Sequence, residues 1–160
     1  MGVDPGTLVT GYGVVSESRG KRACHGWGVI RTTPKALMPL RLKQIADGLR
    51  GAIEQYDPDE LSLEDSFVAK DARAALKIGQ ARGVIMLVAA EMGLPVAEYS
   101  PLKVKQTLVG YGMAEKEQVR VMVRQVLSLK EDPSPLDASD ALALAITHLA
   151  HYPHIARAIK

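Results

Sequence analysis

The feature that most constrains the fold is a change of hydrophobic period after the third apolar run. "MGVDPG" reads as the tail of a strand stopped by the Pro5-Gly6 turn. "LVTGYGVVSE" and "ACHGWGVIRTT" are rich in β-branched and aromatic residues and are separated by the turn "SRGK". Strands joined this closely predict an antiparallel meander. The pattern then becomes helical: in "MPLRLKQIADGLRGAIEQY", Leu40, Leu42, Ile45, Leu49 and Ile53 recur at helix spacing. "DELSLEDSF" returns to strand, with Leu61 and Leu63 on one side and Ser62 and Glu64 on the other. "AKDARAALKIGQARGVIMLVAAEMG" predicts a helix apolar around most of its circumference, hence buried on more than one side. "LPVAEYS" is a strand, and "PLKVKQTLVG", "AEKEQVRVMVRQVLSL" and "DASDALALAITHLAHY" are helices. The order β-β-β-α-β-α-β-α-α-α predicts an α/β protein: one mixed five-stranded sheet, antiparallel in its first three strands and parallel thereafter, with helices on both faces. With no repeat, low-complexity tract or linker, residues 1–160 read as a single domain.

Composition narrows the class. Hydrophobic residues make up 47% and aromatics only 4%, so the core must be aliphatic and alanine-rich. A lone cysteine, Cys24, excludes an internal disulfide and a cysteine zinc site, which fits a reducing cytoplasm. No long uncharged apolar run and no basic leader is present, so neither a membrane span nor a signal peptide is expected. Met86, Met92, Met113 and Met122 read as core or near-core fillers.

The net charge of +2 is unevenly spread. Between Tyr99 and Lys130, the six cations 103, 105, 116, 120, 124 and 130 face Glu115 and Glu117; between Ala69 and Gly83, Lys70, Arg73, Lys77 and Arg82 face Asp71. Acids cluster elsewhere, at Asp57, Asp59, Glu60, Glu64 and Asp65. A basic surface around an acidic point suits a metal-dependent enzyme acting on a polyanion, and a solvated helix face would give the same charge.

Four acids stand out by position. Asp4 ends the first strand and Glu64 lies near the end of the fourth, so parallel pairing of these strands would bring them to one edge. Asp137 and Asp140 open the last helix, three residues apart on one face with Cβ atoms about 5–6 Å apart. Helix capping and dipole compensation account for such a pair, and so does a shared metal ion. Clustered carboxylates raise one another's pKa and need cations. Oxygen ligands suit Mg²⁺ or Mn²⁺. Two such ions about 4 Å apart can activate a water and stabilise the leaving oxygen of a phosphodiester.

"GVDPGTLVTGYGVV", "LEDSFVAKDARAALKIGQARGV", "SPLKVKQTLVGYGMAEKEQV" and "LDASDALALAITH" together resemble the RuvC family of bacterial Holliday-junction resolvases, in the right order over nearly the whole chain. The resemblance implies a ribonuclease-H-like fold and a Mg²⁺-dependent endonuclease with two ions per site, Mn²⁺ substituting. It also implies a homodimer making paired nicks in four-way junction DNA during recombination and repair, with a branch-migration helicase complex as partner. By the same resemblance Asp4, Glu64, Asp137 and Asp140 match the catalytic, metal-binding acids, although some members have histidine where Asp137 stands. Lys105 and Lys116 match basic residues near the cut, and Phe67 matches an aromatic that stacks on bases at the crossover. Lys70 and Arg73 are further candidates for positioning phosphates. The alanine-rich helix, with Ala74, Ala75, Ile78, Ile85 and Val88, is the candidate dimer surface. A non-catalytic junction-binding module and a general ribonuclease-H-like nuclease remain alternatives.

Family members carry several apolar residues before the "G-x-D-P-G" strand, whereas only Met1 precedes Gly2 here, so Asp4 is expected to be held less rigidly. "GTLVTGYG" approaches the glycine spacing of a nucleotide-binding loop, but Tyr12 stands where that loop needs lysine. His148, His151 and His154 have a spacing that invites zinc; Pro153 is expected to break the helix before the third.

Overall fold

The computed structural model describes residues 1–65 and 72–158, with side chains through His151. Five strands, β1 (Gly2–Asp4), β2 (Val9–Ser18), β3 (Lys21–Arg31), β4 (Leu61–Glu64) and β5 (Val96–Tyr99), form one sheet in the order β3-β2-β1-β4-β5. β1, β2 and β3 pair antiparallel, and β4 and β5 join parallel beyond β1. This is the predicted mixed sheet.

Short as it is, β1 is the central strand. It pairs with β2 on one edge and β4 on the other, and Val3 is fully buried. Ladder bonds on both edges offset its length, so β1 is paired through Asp4 despite its short lead.

Helices cover both faces. On one, α1 (Met38–Tyr56) and α2 (Ala72–Glu91) pack Ile45, Leu49, Ile53, Ile85 and Val88 against Val3, Leu61 and Leu63. On the other lies α5 (Leu136–Ala158), with α3 (Pro101–Val109) and α4 (Lys116–Val126) packed against it. α5 is therefore sandwiched, and residues 141–148 are buried without a break. Contrary to expectation, α5 runs through Pro153 to Ala158. Proline removes one intrahelical hydrogen bond and crowds the preceding turn, which weakens a helix without having to end it.

α5 can lie this close to the sheet because glycines floor its track. A Cβ at Gly2 would stand 2.0 Å from the Ala141 carbonyl oxygen, one at Gly11 2.0 Å from that of Asp137, and one at Gly13 2.6 Å from Leu142 Cγ. Gly2 and Gly13 are cross-strand partners, and Gly11 pairs with Asp4. Gly11 and Gly13, two of the glycines that resemble a nucleotide loop, are instead part of the seat of a helix.

Two methionine expectations fail. Met113 is 85% exposed, in the connection between α3 and α4, and Met86 is exposed on the outer side of α2. Met92 and Met122 do pack against the two cores.

Candidate active site

β1 stops at Asp4 because Pro5 has no N–H to continue the ladder. Side chains alternate along a strand, so Asp4 shares a face with Gly2, whose Cα lies under α5. Val3 points the other way into the core. In the parallel pairing, Gly2 stands opposite Ser62 and Val3 opposite Leu63, so one further step sets Asp4 beside Glu64. Both acids therefore rise at the carboxyl ends of neighbouring strands, toward the helix that carries Asp137 and Asp140.

Asp137 is the second residue of α5 and Asp140 the fifth. Neither is the N-cap, so the capping account does not cover the pair. The first turn is held over β2 at Gly11, the cross-strand partner of Asp4. Sheet register and helix seat together converge the acids.

Electrostatics record that convergence. Asp4 is pushed up to about 8, first by burial, then by the charges of Glu64 and Asp140 and, more weakly, Asp137; Lys116 opposes this. Glu64 is raised by burial and Asp140, with Lys116 and Arg82 opposing. Lys116 Nζ donates to Asp140 Oδ2 at 2.7 Å, and this bond leads in raising the lysine's own pKa, with Asp140, Asp4 and Glu64 adding by charge. Among the described residues, no three His, Cys, Asp or Glu side chains are arranged to hold a metal ion as they stand. The donor set nonetheless fits a hard divalent cation. All its ligands are oxygens, their mutual repulsion is what an ion relieves, and Asp140 is bound to a lysine from which it must turn.

The cations are placed by their helix starts. Ser100 and Pro101 open α3, with Ser100 Oγ accepting from the Lys103 N–H at 3.3 Å. At the start of α4 the Glu115 N–H donates to Gln118 Oε1 at 2.9 Å. Lys105 and Lys116 thereby line one cleft with Glu64 and Asp140. Arg73 lies apart, exposed in the first turn of α2 and without an ion pair to the four acids among the described residues. Phe67 and Lys70 lie outside the described residues.

Two contributors escape sequence reading. One is Gly11. The other is Arg82 in "GQARGV", whose Nη2 donates to Glu98 Oε2 at 2.6 Å while its charge acts on Glu64. An arginine within an apolar helical run was the available signal. His148 serves elsewhere: the Tyr99 hydroxyl and His148 Nδ1 are 2.9 Å apart, and His148 Nε2 lies 2.7 Å from Glu60 Oε2.

This sheet order, with acids at the carboxyl ends of β1 and β4 and at the start of the helix lying across them, defines a ribonuclease-H-like fold of the nuclease type. A family model described as crossover junction endodeoxyribonuclease RuvC matches residues 1–148. The chain is 46% identical over 152 residues to the RuvC of Syntrophomonas wolfei, covering 95% of this chain and 88% of that one. It is 49% identical over 158 residues to the RuvC of Pelobacter propionicus, covering 98% and 88%. Thermus thermophilus RuvC, solved in complex with Holliday junction substrate, superposes with a TM-score of 0.88 at 36% identity, covering 97% of this chain and 94% of that one. The yeast mitochondrial resolvase Ydc2 shares the fold at 14% identity and a TM-score of 0.63, covering 99% and 85%. The chain belongs to the RuvC family of crossover junction endodeoxyribonucleases.

Proposed function

We propose that this chain is a structure-selective, Mg²⁺-dependent endonuclease that resolves four-way DNA junctions by paired symmetric nicks in recombination and repair. The observation that carries this reading is geometric: strand register sets Asp4 beside Glu64, the seat of α5 on Gly11 brings Asp137 and Asp140 to the same sheet rim, and Lys116 is bonded to Asp140 there. A purely structural cluster would not keep Asp4 largely buried amid three like charges.

Asp4, Glu64, Asp137 and Asp140 would hold two divalent ions, Mg²⁺ or in its place Mn²⁺. When bound, these supply activation of a water and neutralisation of the leaving oxygen in phosphodiester hydrolysis. Asp4 and Asp140 would serve as ionised oxygen ligands, and the Lys116 ammonium, which donates to Asp140 here, would supply positive charge beside the scissile phosphate. Lys105, in the same cleft, orients the backbone without reading sequence. The products are 5′-phosphate and 3′-hydroxyl ends, as the family resemblance implies. By the family resemblance Phe67 stacks on a base at the crossover, and Lys70 and Arg73 are proposed as phosphate contacts away from the acids. The test is cleavage of a four-way junction, plain duplex and RNA–DNA hybrid with Mg²⁺ and in EDTA. Equal cutting of all three, or junction binding without nicking after Mg²⁺ is restored, overturns the reading.

Metal binding and pH are linked here. Burial and the neighbouring acids push the Asp4 carboxyl up to about 8 from its ordinary value of 3.8. A raised acid pKa means the folded state holds its proton more tightly than the unfolded chain. This group's contribution to stability is therefore lost as pH rises from about 4 to about 8. Glu64 acts in the same direction. A divalent ion needs the deprotonated acids, so its affinity should rise with pH toward 8, up to about tenfold per unit for each proton released. Thermal unfolding across pH 5–9 should show Mg²⁺ stabilising most at the alkaline end. A Mg²⁺ effect independent of pH counts against Asp4 as a ligand.

Symmetric cutting of a two-fold junction calls for a C₂ dimer. α2 supplies the surface, with a correction to the residues expected there. Ile85 and Val88 are fully buried in the chain's own core, because helical period turns them toward the sheet. The outward stripe is instead Ala75, Leu76, Gly79, Gly83, Met86 and Leu87, all exposed. A Cβ at Gly79 or Gly83 would meet nothing within 4 Å, so a second helix can approach closely. Leu87→Glu should convert a sedimenting dimer to monomer; a wild-type chain that is monomeric at micromolar concentration removes the interface. As in the family, a branch-migration helicase complex is the functional partner. The nuclease, one domain over residues 1–160, acts in the cytoplasm. Consistent with that, no helix among the described residues is long and apolar enough to cross a membrane.

A further inference from the structure

The most strongly charged stretch of the chain lies outside the site described above. Residues 18–46 contain Arg19, Lys21, Arg22, Arg31, Lys35, Arg41 and Lys43, and no Asp or Glu. Arg22 is paired with Glu17, and Lys43 with Asp47. Among the described residues, Arg31, Lys35 and Arg41 have no carboxylate within ion-pair distance.

Topology brings this trio to the rim that carries the acids. β1 and β3 are each antiparallel to β2 and so run the same way; Arg31 at the end of β3 and Asp4 at the end of β1 finish at one edge of the sheet. Two strand spacings across the sheet and two residues along it, about 12 Å in all, separate them. Lys35 follows in a turn closed by the Ala36 N–H to the Thr33 carbonyl at 2.9 Å. Gln44 of α1 ties that turn down, accepting from the Thr33 N–H at 2.9 Å and donating to Thr33 Oγ1 at 3.1 Å.

Arg41, in the first turn of α1, is fixed more firmly. Its Nε donates to the Thr7 carbonyl at 3.0 Å and its Nη2 donates to the same oxygen, which also accepts from Thr32 Oγ1 at 2.7 Å. Thr7 belongs to the loop that follows Asp4. The guanidinium is thus oriented by a neutral backbone group, which leaves its charge uncompensated. Three such cations at one rim repel one another, and an ordered polyanion relieves that repulsion.

The geometry points to Arg31, Lys35 and Arg41 as a second phosphate-contacting patch for the DNA backbone, across the acids from Lys105 and Lys116. β3 and β5 are the two outer strands, with β1 and β4 between them. The acids are accordingly flanked by cations on both sides. At about 3.4 Å of axis per phosphate of one strand, a displacement of about 12 Å reaches phosphates about three to four nucleotides from the cut. This patch deepens the junction-nuclease reading and rests on it.

The test is the double variant Arg31→Gln/Lys35→Gln, whose two side chains are exposed and make none of the hydrogen bonds described here. Its affinity for a four-way DNA junction in EDTA is compared with wild type and with Lys105→Gln across a salt series, after circular dichroism confirms the fold. Loss of two phosphate contacts should reduce the slope of log affinity against log salt by about 2 and weaken binding about tenfold or more near 0.1 M salt. Unchanged affinity and slope, while Lys105→Gln weakens binding, overturns the patch and leaves the nuclease reading intact. A wild-type chain that fails to nick the junction with Mg²⁺ fails the nuclease reading instead.

Discussion

Asp4→Asn should abolish nicking of four-way junction DNA while leaving junction binding intact. The substitution keeps the shape of the side chain and removes its charge. Asp4 sits where Glu64, Asp137 and Asp140 all act on it, so it is the member of the cluster most dependent on a cation for ionisation. A neutral amide would be a much poorer ligand than a carboxylate for a hard divalent ion. The loss should exceed the roughly 10²–10³-fold that removal of one preorganised electrostatic partner costs. Stability should move the other way. Without divalent ions at pH 8, the variant should melt no lower than wild type, because it lacks the ionisation that burial and like charges oppose. Inactivity with unchanged or raised melting temperature and intact binding marks a catalytic acid. Near-normal turnover would show that Asp4 is not one.

Gly11→Ala should cost both stability and activity, although it touches no ionisable group. The added methyl would lie 2.0 Å from the Asp137 carbonyl oxygen and 3.0 Å from the Ala138 nitrogen. Both are backbone atoms of a helix whose following turns, residues 141–148, are buried, so relief requires the start of α5 to lift. Overpacking of this kind costs typically about 1–3 kcal/mol. The same lift carries Asp137 and Asp140 away from Asp4, and a displacement of about 1 Å can cost about 10²-fold in rate. Gly51→Ala is the matching control. Gly51 lies exposed in α1 with nothing within 4 Å of its would-be Cβ. There the same change should stabilise, by up to about 1 kcal/mol of helix propensity, with nicking unchanged. Denaturant unfolding and single-turnover nicking check both. Equal behaviour of the two variants would show that the glycine seat does not position the acids.

Much of the architecture was legible along the chain because it rests on short-range physics. Alternation marked the meander, and helical spacing gave α1 its observed bounds, Met38–Tyr56. The "SPLK" run carried both a side-chain cap and a first-turn proline, so the start of α3 could be read locally. Asp4, Glu64, Asp137 and Asp140 could be nominated because strand ends and helix starts converge at one rim in α/β folds. Where local signals conflicted with packing, packing won. Pro153 did not stop α5, and the face of α2 that looked free for a partner was partly the chain's own core.

Residue order and periodicity determined the elements, since these follow from interactions a few residues apart; their order suggested the mixed sheet, and position with family resemblance nominated the four acids. Tertiary structure decided the rest. It set Asp4 beside Glu64 by strand register, let α5 down onto Gly2, Gly11 and Gly13, and brought Arg31 and Arg41 to the rim across the acids from Lys105. Those are contacts between distant segments, fixed by the volume of side chains that meet only once the sheet and its helices have packed.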